Sequence, residues 1–244
     1  MGVDVGEIRR DRAPVATLQR AVRRAVAPIR GRRGRVDDPN FIGFDKYRRD
    51  GAYHWVELVE SDDYRGKIEV VGRYATETDC CLDIGCGDGA YAYALSQTVT
   101  SVVGVDADYD AVKLANRELR RRDVANVTCH QFVIADLTLE AVGATMPFDL
   151  VYSMDVIEHL PRPEQLLERA VSVVAPGGYV VIGTPLYLGE ALLSPYHVRE
   201  FQRDELLEIV EPWLEITDVH ILPMRRLDDV VHDDGFVVAV GRAR

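Results

Sequence analysis

Residues 80–90 read CCLDIGCGDGA, an apolar run that leads into a glycine-rich turn. The run predicts a buried strand, and the glycines allow the backbone to turn sharply and to approach a bound ligand closely. A helix is expected to begin at Ala90, and the N–H groups at its start would face negative charge. This order of elements is typical of nucleotide-like ligand sites. Two alternatives stay open. The ligand could be a dinucleotide, since the turn also satisfies G-x-G-x-x-A, or the turn could be tight packing without a ligand.

Apolar runs and helical patterns alternate beyond this turn at the spacing of βαβ units. The expected strands are 80–84, 101–106, 127–135, 148–153 and 178–183, and the expected helices lie near 90–97, 108–122, 138–144 and 163–174. This alternation predicts an α/β fold with a Rossmann-like, doubly wound and mostly parallel sheet. The tail adds a helix and two β-rich runs that could pair at the sheet edge: 203–211, 213–222 and 234–240.

Two carboxylates follow the second and third predicted strands. Asp106 ends the second strand, and Asp136 follows the third. The carboxyl ends of parallel strands meet at one edge of a sheet, so both groups could reach the same ligand. There Asp106 could bind ribose hydroxyls, and Asp136 could accept a hydrogen bond from an adenine amino group. Capping of the helix that follows is the structural alternative for each of them.

Five segments within residues 79–185, taken in order, resemble the class I S-adenosylmethionine-dependent methyltransferases. They are LDIGCGDG, VVGVDAD, FVIADL, FDLVYSMDVIEHL and VAPGGYVVIGTP. The resemblance implies a seven-stranded sheet whose last strand is antiparallel. It also implies that Asp83, Gly85, Gly87 and Gly89 hold the methionine part of the cofactor. Asp106 would hold its ribose, and Asp136 with Leu137 would hold its adenine. A sulfonium cofactor suits these acids and Asp88, whereas two phosphates would meet an unfavourable acidic rim.

The fourth predicted strand leads into residues 153–160, SMDVIEHL. If this segment is helical, Asp155, Glu158 and His159 share one face beside the cofactor. His159 is the first candidate for a catalytic general base, and a bond to a backbone group is its structural alternative. This segment resembles two families, the ubiquinone-biosynthesis methyltransferases and the small-RNA 2′-hydroxyl methyltransferases. Both have E-x-x-E-H at this place, and the second family has a further histidine later in the chain. The resemblance implies a divalent metal on Asp155, Glu158, His159 and His197, although Asp155 is shorter than the glutamate it replaces.

Residues 194–201, SPYHVREF, resemble the H-x-R-E-F segment of small-molecule and surface-glycan O-methyltransferases. They are expected to cap the acceptor pocket, with catalytic His197 and substrate-binding Arg199 facing the acceptor. Arg199 would suit a carboxylate or phosphate, and an ion pair with a nearby acid such as Glu200 or Asp204 is its alternative. Tyr53 and Trp55 could cover the cofactor or the acceptor, and packing explains them equally well.

Charge divides the chain into two unlike parts. The whole chain carries −11, but residues 1–35 carry ten arginines against three acids, so the acidic excess lies in the rest. An acidic surface disfavours nucleic acid as a partner. The basic arm could form an amphipathic helix on an anionic membrane surface, stay solvated, or pack on a neighbouring subunit. We expect a helical cap at 36–78, a catalytic domain at 79–244 and an acceptor-side lid segment at 186–202.

Four cysteines without a C-x-x-C pair favour a reducing compartment, and the N-terminus lacks the apolar stretch of a signal peptide. A cytoplasmic protein, peripheral at the inner membrane surface if the arm binds there, is therefore expected. The predicted activity is O-methylation of a hydroxyl or carboxylate on a small or glycan-type acceptor, preferably a sugar or hexuronic acid of a lipid-linked surface glycan. The alternatives are a metal-assisted methyltransferase for a quinone precursor or an RNA 2′-hydroxyl, an NAD-dependent oxidoreductase, and a non-catalytic cofactor-binding module.

Overall fold

The computed structural model describes residues 38–41 and 45–244, so the basic arm predicted at 1–35 lies outside the described residues. Seven helices are described: α1 (Lys46–Asp50), α2 (His54–Glu60), α3 (Asp62–Gly72), α4 (Ala90–Leu95), α5 (Tyr109–Arg121), α6 (Glu164–Val173) and α7 (Arg203–Val210). The strands are β1 (Cys80–Ile84), β2 (Ser101–Asp106), β3 (Val127–Gln131), β4 (Phe148–Met154), β5 (Val174–Pro185), β6 (Leu214–Arg225) and β7 (Val231–Ala243). None of the described helices is long and apolar enough to cross a bilayer.

The seven strands form one sheet in the order β3-β2-β1-β4-β5-β7-β6. The pairs among β1 to β5 are parallel, and β7 runs antiparallel to both of its neighbours. The predicted Rossmann-like sheet with an antiparallel last strand is therefore confirmed. Because β1, β2 and β4 are parallel, the loops after them share one edge of the sheet. The strand order reverses between β1 and β4, and ligands of open α/β sheets bind at such a point.

Strand β1 is buried on both faces because it lies in the middle of the sheet. Cys81 packs in the cluster that contains Val71 of α3, and Leu82 and Ile84 pack in the cluster that contains Leu166 of α6. Full burial of a side chain of this size stabilises the fold by about 1.5–3 kcal/mol. The central strand therefore holds the glycine turn at its end on a rigid base.

The described part of residues 36–78 contains the three helices α1, α2 and α3, as expected of an N-terminal helical region, and its role as a cap stays a prediction. Helix α3 begins at Asp62 because the Ser61 hydroxyl accepts a hydrogen bond from the backbone N–H of Tyr64. Trp55 of α2 is buried, and its indole N–H donates to the carbonyl oxygen of Asp88 at 2.8 Å. This bond attaches the helices to the loop after β1. The division of the chain at residue 78 stays a prediction.

Two helical predictions were wrong. Residues 138–144 form successive turns, in which Thr138 accepts a bond from the N–H of Ala141 and Gly143 adopts a φ of +69°. Residues 155–159 do not form a helical face either. Asp155 has a φ of +57°, and only the single 3₁₀ turn Ile157–His159 follows. A left-handed residue breaks the spacing on which a shared helical face depends.

Candidate active site

A cavity of about 470 Å³ lies at the carboxyl edge of β1, β2 and β4. Its floor is the loop after each of these strands, and its walls come from the N-terminal helices and the 186–202 segment. The cavity runs from Asp108 and Phe132 at one end, over Gly85, to His159 and His197 at the other. One continuous space thus connects the expected cofactor site with the expected acceptor site.

The glycine turn opens the backbone to this cavity. Gly85 and Gly87 have positive φ values of 83° and 52°, and both line the cavity. A Cβ at Gly85 would collide with Val156, and a Cβ at Gly87 would collide with the hydroxyl of Tyr47. Gly89 does not line the cavity, and a Cβ there would meet Ala115 of α5 at 3.0 Å. The first two glycines therefore shape the site, whereas the third allows close packing of two helices.

Asp106 organises the turn from the neighbouring strand. Its Oδ2 accepts from the N–H of Gly87 and its Oδ1 from the N–H of Asp108, each at 2.8 Å. Burial raises the pKa of Asp106 to about 6. The cap of α5 is Asp108, which accepts from the N–H of Ala111 at 2.9 Å. The alternative capping role thus falls on Asp108, and Asp106 faces the cavity where the ribose was predicted.

Asp83 lies in β1, behind the glycine turn rather than in the cavity wall. It is 2% exposed, and burial raises its pKa to about 8, with a further rise from the charge of Asp106. Asp88 is also fully buried and accepts from the N–H of His54 at 3.1 Å. Both acids lie close to the glycine turn, and at this raised pKa the Asp83 carboxyl is largely protonated at neutral pH.

The loop after β3 places its residues differently from the prediction. Asp136 is exposed and does not line the cavity, and Leu137 is fully buried in the core. Strand β3 ends at Gln131, and the N–H of Phe132 makes the last bond to β2, donating to the carbonyl of Asp106 at 2.8 Å. Phe132 and Ile134 line the cavity instead. Sequence reasoning missed these two residues, although their apolar character just before Asp136 was a usable signal.

The predicted aromatic cover is only partly found. Tyr53 lines the cavity, stacks on Tyr47 at 5.6 Å between ring centroids, and lies under the ammonium group of Lys46 at 4.0 Å. Trp55 does not line the cavity, because it packs between Tyr93 and the adjoining helices. Tyr47, which the sequence did not single out, takes the central place above Gly87.

Glu158, His159 and His197 meet at the far end of the cavity. One ligand atom from each lies within 4.8 Å of the others, and the two imidazole centroids are 4.8 Å apart. Glu158 is fully buried: its Oε2 accepts from the Thr184 hydroxyl at 3.0 Å, and its Oε1 has no hydrogen-bond partner among the described residues. Burial, together with the charge of Asp155, raises the pKa of Glu158 to about 7.

Hydrogen bonds define the tautomers of both histidines. Nδ1 of His159 lies 2.8 Å from the carbonyl oxygen of Tyr196, and Nδ1 of His197 lies 2.7 Å from Oε1 of Glu200. Carbonyl and carboxylate oxygens only accept, so each Nδ1 carries the hydrogen and each Nε2 is an acceptor. An acidic group and two acceptor nitrogens in one place are stabilised by a shared proton or a cation.

Asp155 does not join this cluster. Both of its carboxylate oxygens accept from the ammonium group of Lys67, at 2.8 Å and 3.0 Å. Of the four predicted metal ligands, the structure thus brings three together and directs the fourth toward α3. Arg199 is also turned away: it is exposed, lies 3.7 Å from Glu205 and covers the ring of Phe201.

Residues 82–182 match the family model described as a methyltransferase domain. This segment, less than half of the chain, is thus similar to methyltransferase domains. Over 103 residues the chain is 30% identical to the ubiquinone biosynthesis O-methyltransferase of Acinetobacter baylyi. That match covers 42% of this chain and 42% of the relative, so it spans less than half of either protein.

Solved structures share the fold of the methyltransferase domain. A SAM-dependent methyltransferase from Aquifex aeolicus superposes with a TM-score of 0.62 and 16% identity, covering 82% of this chain and 98% of the other. The N-methyltransferase NodS of Bradyrhizobium japonicum, solved with S-adenosyl-L-homocysteine, gives a TM-score of 0.59 and 17% identity over 93% and 98% of the two chains. At these identities the likeness concerns the fold alone.

The family match ends before the acceptor end of the cavity is complete. The methyltransferase domain segment contains the glycine turn, Asp106, Glu158 and His159, but Tyr53 and His197 lie outside residues 82–182. Part of the cavity lining thus comes from the N-terminal helices, the 186–202 segment and residues 224–227, outside the matched segment.

Proposed function

We propose that this protein is an S-adenosylmethionine-dependent O-methyltransferase that acts on a hydroxyl group of a small-molecule acceptor. The observation that carries the proposal is the single cavity that joins Gly85, Gly87 and Asp106 to Glu158 and His159. The methyltransferase domain and the names of its curated relatives support the same reaction class.

The residues at the glycine turn fit the cofactor. Only glycine fits at these two positions, because a Cβ at Gly85 would overlap Val156 and a Cβ at Gly87 would overlap the Tyr47 hydroxyl. The carboxylate of Asp106 lies beside this backbone and accepts from the N–H of Gly87. The Asp88 carboxylate also lies near the turn, which suits a sulfonium cation. When bound, S-adenosylmethionine supplies an activated methyl group for in-line transfer. The protein's own contribution is to hold the acceptor near attack distance, which can provide about 7–11 kcal/mol.

The acceptor end contains groups that can take a proton from a hydroxyl. Nε2 of His159 is an acceptor because Nδ1 donates to Tyr196. We assign His159 as the general base, a role worth on the order of 10²–10⁴ in rate. His197 and Glu158 lie beside it, and the three could hold a divalent cation that polarises the hydroxyl. The donor set of one carboxylate and two imidazoles fits such an ion.

The structure favours a hydroxyl over a carboxylate acceptor. Arg199, the residue expected to pair with an acceptor carboxylate, faces Glu205 instead. An ionised carboxylate would also need no base, whereas a hydroxyl benefits from the groups around His159. The resemblance of residues 194–201 to glycan-cluster enzymes supports a sugar hydroxyl. The curated relatives support a phenolic hydroxyl of a quinone precursor as the second candidate.

Calorimetry and isotope transfer test the proposal. The purified protein is expected to bind S-adenosylmethionine and S-adenosylhomocysteine but not NAD, and to transfer a labelled methyl group to sugar or phenolic acceptors. Asp106→Ala should lose affinity, whereas Lys113→Met, a change at an exposed lysine of α5, should not. Assays with EDTA and then added Mg²⁺, Mn²⁺ or Zn²⁺ show whether a metal is needed. Tighter binding of NAD would support the oxidoreductase, and cofactor binding without product in any extract would support the non-catalytic module.

A further inference from the structure

A buried ion pair lies beneath the acceptor end of the cavity. Nη2 of Arg226 is 2.5 Å from Oε2 of Glu200, and the two side chains are 3% and 0% exposed. Glu200 belongs to the 186–202 segment, whereas Arg226 follows β6 in the turn toward β7. Burial of two charges is costly unless their remaining atoms are also bonded, so the other contacts of this pair identify what it holds.

Arg226 uses its remaining donors on the backbone of the 186–202 segment. Its Nη1 donates to the carbonyl of Leu186 at 3.2 Å, and its Nη2 donates to the carbonyl of Leu192 at 3.1 Å. A guanidinium group has donors only and a planar shape, so these bonds orient it firmly. Arg226 therefore holds Glu200 in one orientation with Oε2 occupied.

The second oxygen of Glu200 faces His197. Oε1 lies 2.7 Å from Nδ1 of His197 and 3.4 Å from the N–H of Ser194. Although burial raises the pKa of Glu200, the bonds from His197 and Arg226 bring it below its usual value. A carboxylate in this position accepts the Nδ1 hydrogen, which leaves Nε2 of His197 as the acceptor nitrogen.

We propose that Glu200, held in place by Arg226, is a positioning residue that fixes His197 in the Nδ1–H tautomer at the acceptor end of the cavity. The consequence for turnover rests on the proposed methyltransferase function, but the tautomer does not. Without Arg226 the Glu200 side chain could turn away from His197, whereas the Arg226 bonds hold Oε1 of Glu200 at Nδ1 of His197. The pair connects the turn after β6 with a group in the cavity wall.

Glu200→Gln gives the sharpest test, because the amide has one accepting and one donating end. Arg226 has only donors, so it should bind the amide oxygen and turn the amide NH₂ toward His197. Nδ1 of His197 must then accept, and the tautomer should reverse to Nε2–H. The probe is ¹⁵N NMR of histidine-labelled protein at about pH 8.5, where an ordinary imidazole is neutral. The His197 signals are assigned from a His197→Gln variant.

Wild-type protein should show the Nδ1–H pattern, and Glu200→Gln should show the Nε2–H pattern. The control Glu208→Gln, a change at an exposed acid of α7, should keep the wild-type pattern. If Arg226 controls the orientation, Glu200→Gln/Arg226→Met should free the amide to rotate and restore Nδ1–H. In an active enzyme, Glu200→Gln should lower kcat at least about 10-fold, while KM for S-adenosylmethionine stays within about 2-fold.

An Nε2–H tautomer in the wild-type protein would overturn the proposal even if no variant folds. An unchanged Nδ1–H pattern in a folded Glu200→Gln protein would overturn it as well. Neither result depends on methyl transfer, so a protein without detectable activity would contradict the proposed function and leave the test of this pair intact.

Discussion

The ammonium group of Lys67 lies 2.8 Å and 3.0 Å from the two carboxylate oxygens of Asp155, and this ion pair joins α3 to the end of β4. The Lys67 side chain is 5% exposed and that of Asp155 is 27% exposed. The ammonium group also lies 4.0 Å from the ring centroid of Phe236. The N-terminal helices are thus attached to the sheet at the cavity itself, which explains why Asp155 is directed away from Glu158.

Lys67→Met should destabilise the protein because it leaves the Asp155 carboxylate without its partner. Loss of one partner from a fully buried pair costs about 3–5 kcal/mol, and the partial exposure of Asp155 reduces the expected loss to about 1–3 kcal/mol. Urea unfolding measures this difference. Lys113→Met, at an exposed lysine, should change the free energy of unfolding by no more than about 0.5 kcal/mol. Equal stability of the two variants would contradict a structural role for the pair.

Asp106→Ala and Asp136→Ala should differ in their effect on S-adenosylmethionine binding. Asp106 lines the cavity and holds the N–H of Gly87, so its removal should weaken binding by about 1–3 kcal/mol. Asp136 is exposed and outside the cavity wall, so its removal should leave the affinity within about 2-fold. Titration calorimetry compares the two. A large loss in Asp136→Ala would restore the adenine contact implied by the family resemblance.

Asp83→Asn should make stability less dependent on pH. The pKa of Asp83 is about 8 in the folded protein and about 3.9 in an unfolded chain, so between these values the folded state binds a proton that the unfolded state releases. Its contribution to the free energy of unfolding therefore falls as the pH rises from about 4 to about 8. Relative to wild type, Asp83→Asn should gain roughly 1–2 kcal/mol between pH 6 and pH 8, since one pH unit corresponds to about 1.4 kcal/mol.

Urea unfolding of both proteins at the two pH values gives this difference directly, because groups other than Asp83 titrate alike in each. A wild-type-like pH dependence in Asp83→Asn would mean that the carboxyl group is already ionised in the folded protein.

Gly87→Ala should weaken cofactor binding, because a methyl group there collides with the Tyr47 hydroxyl at a φ of +52°. The matched control is Gly66→Ala in α3, where a Cβ meets no atom within 4 Å. That change should instead stabilise the protein by about 0.5–1 kcal/mol, since alanine favours a helix interior. Calorimetry with S-adenosylhomocysteine and thermal unfolding separate the two effects. Normal affinity in Gly87→Ala would argue against backbone contact at this turn.

Local sequence patterns were sufficient for the strands and for the glycine turn. Strands β1 and β2 begin and end where the apolar runs predict, whereas the antiparallel last strand was implied by the family resemblance. These features depend on residues that are neighbours along the chain: alternation decides which face is buried, and glycine allows positive φ. The approach of Glu158, His159 and His197 was expected from the family resemblance and not from any local pattern.

Side-chain direction at the cavity required the folded chain. Asp155 binds Lys67 from a helix 88 residues earlier, and Arg226 reaches back 26 residues to Glu200. A charged group that leaves water takes the partner that lies within reach, and that partner can come from any distance along the chain. Such pairings cannot be predicted from residue spacing. Asp155 therefore lies outside the expected ligand set, and Arg226 lies in the cavity wall, through contacts that form only when the chain packs.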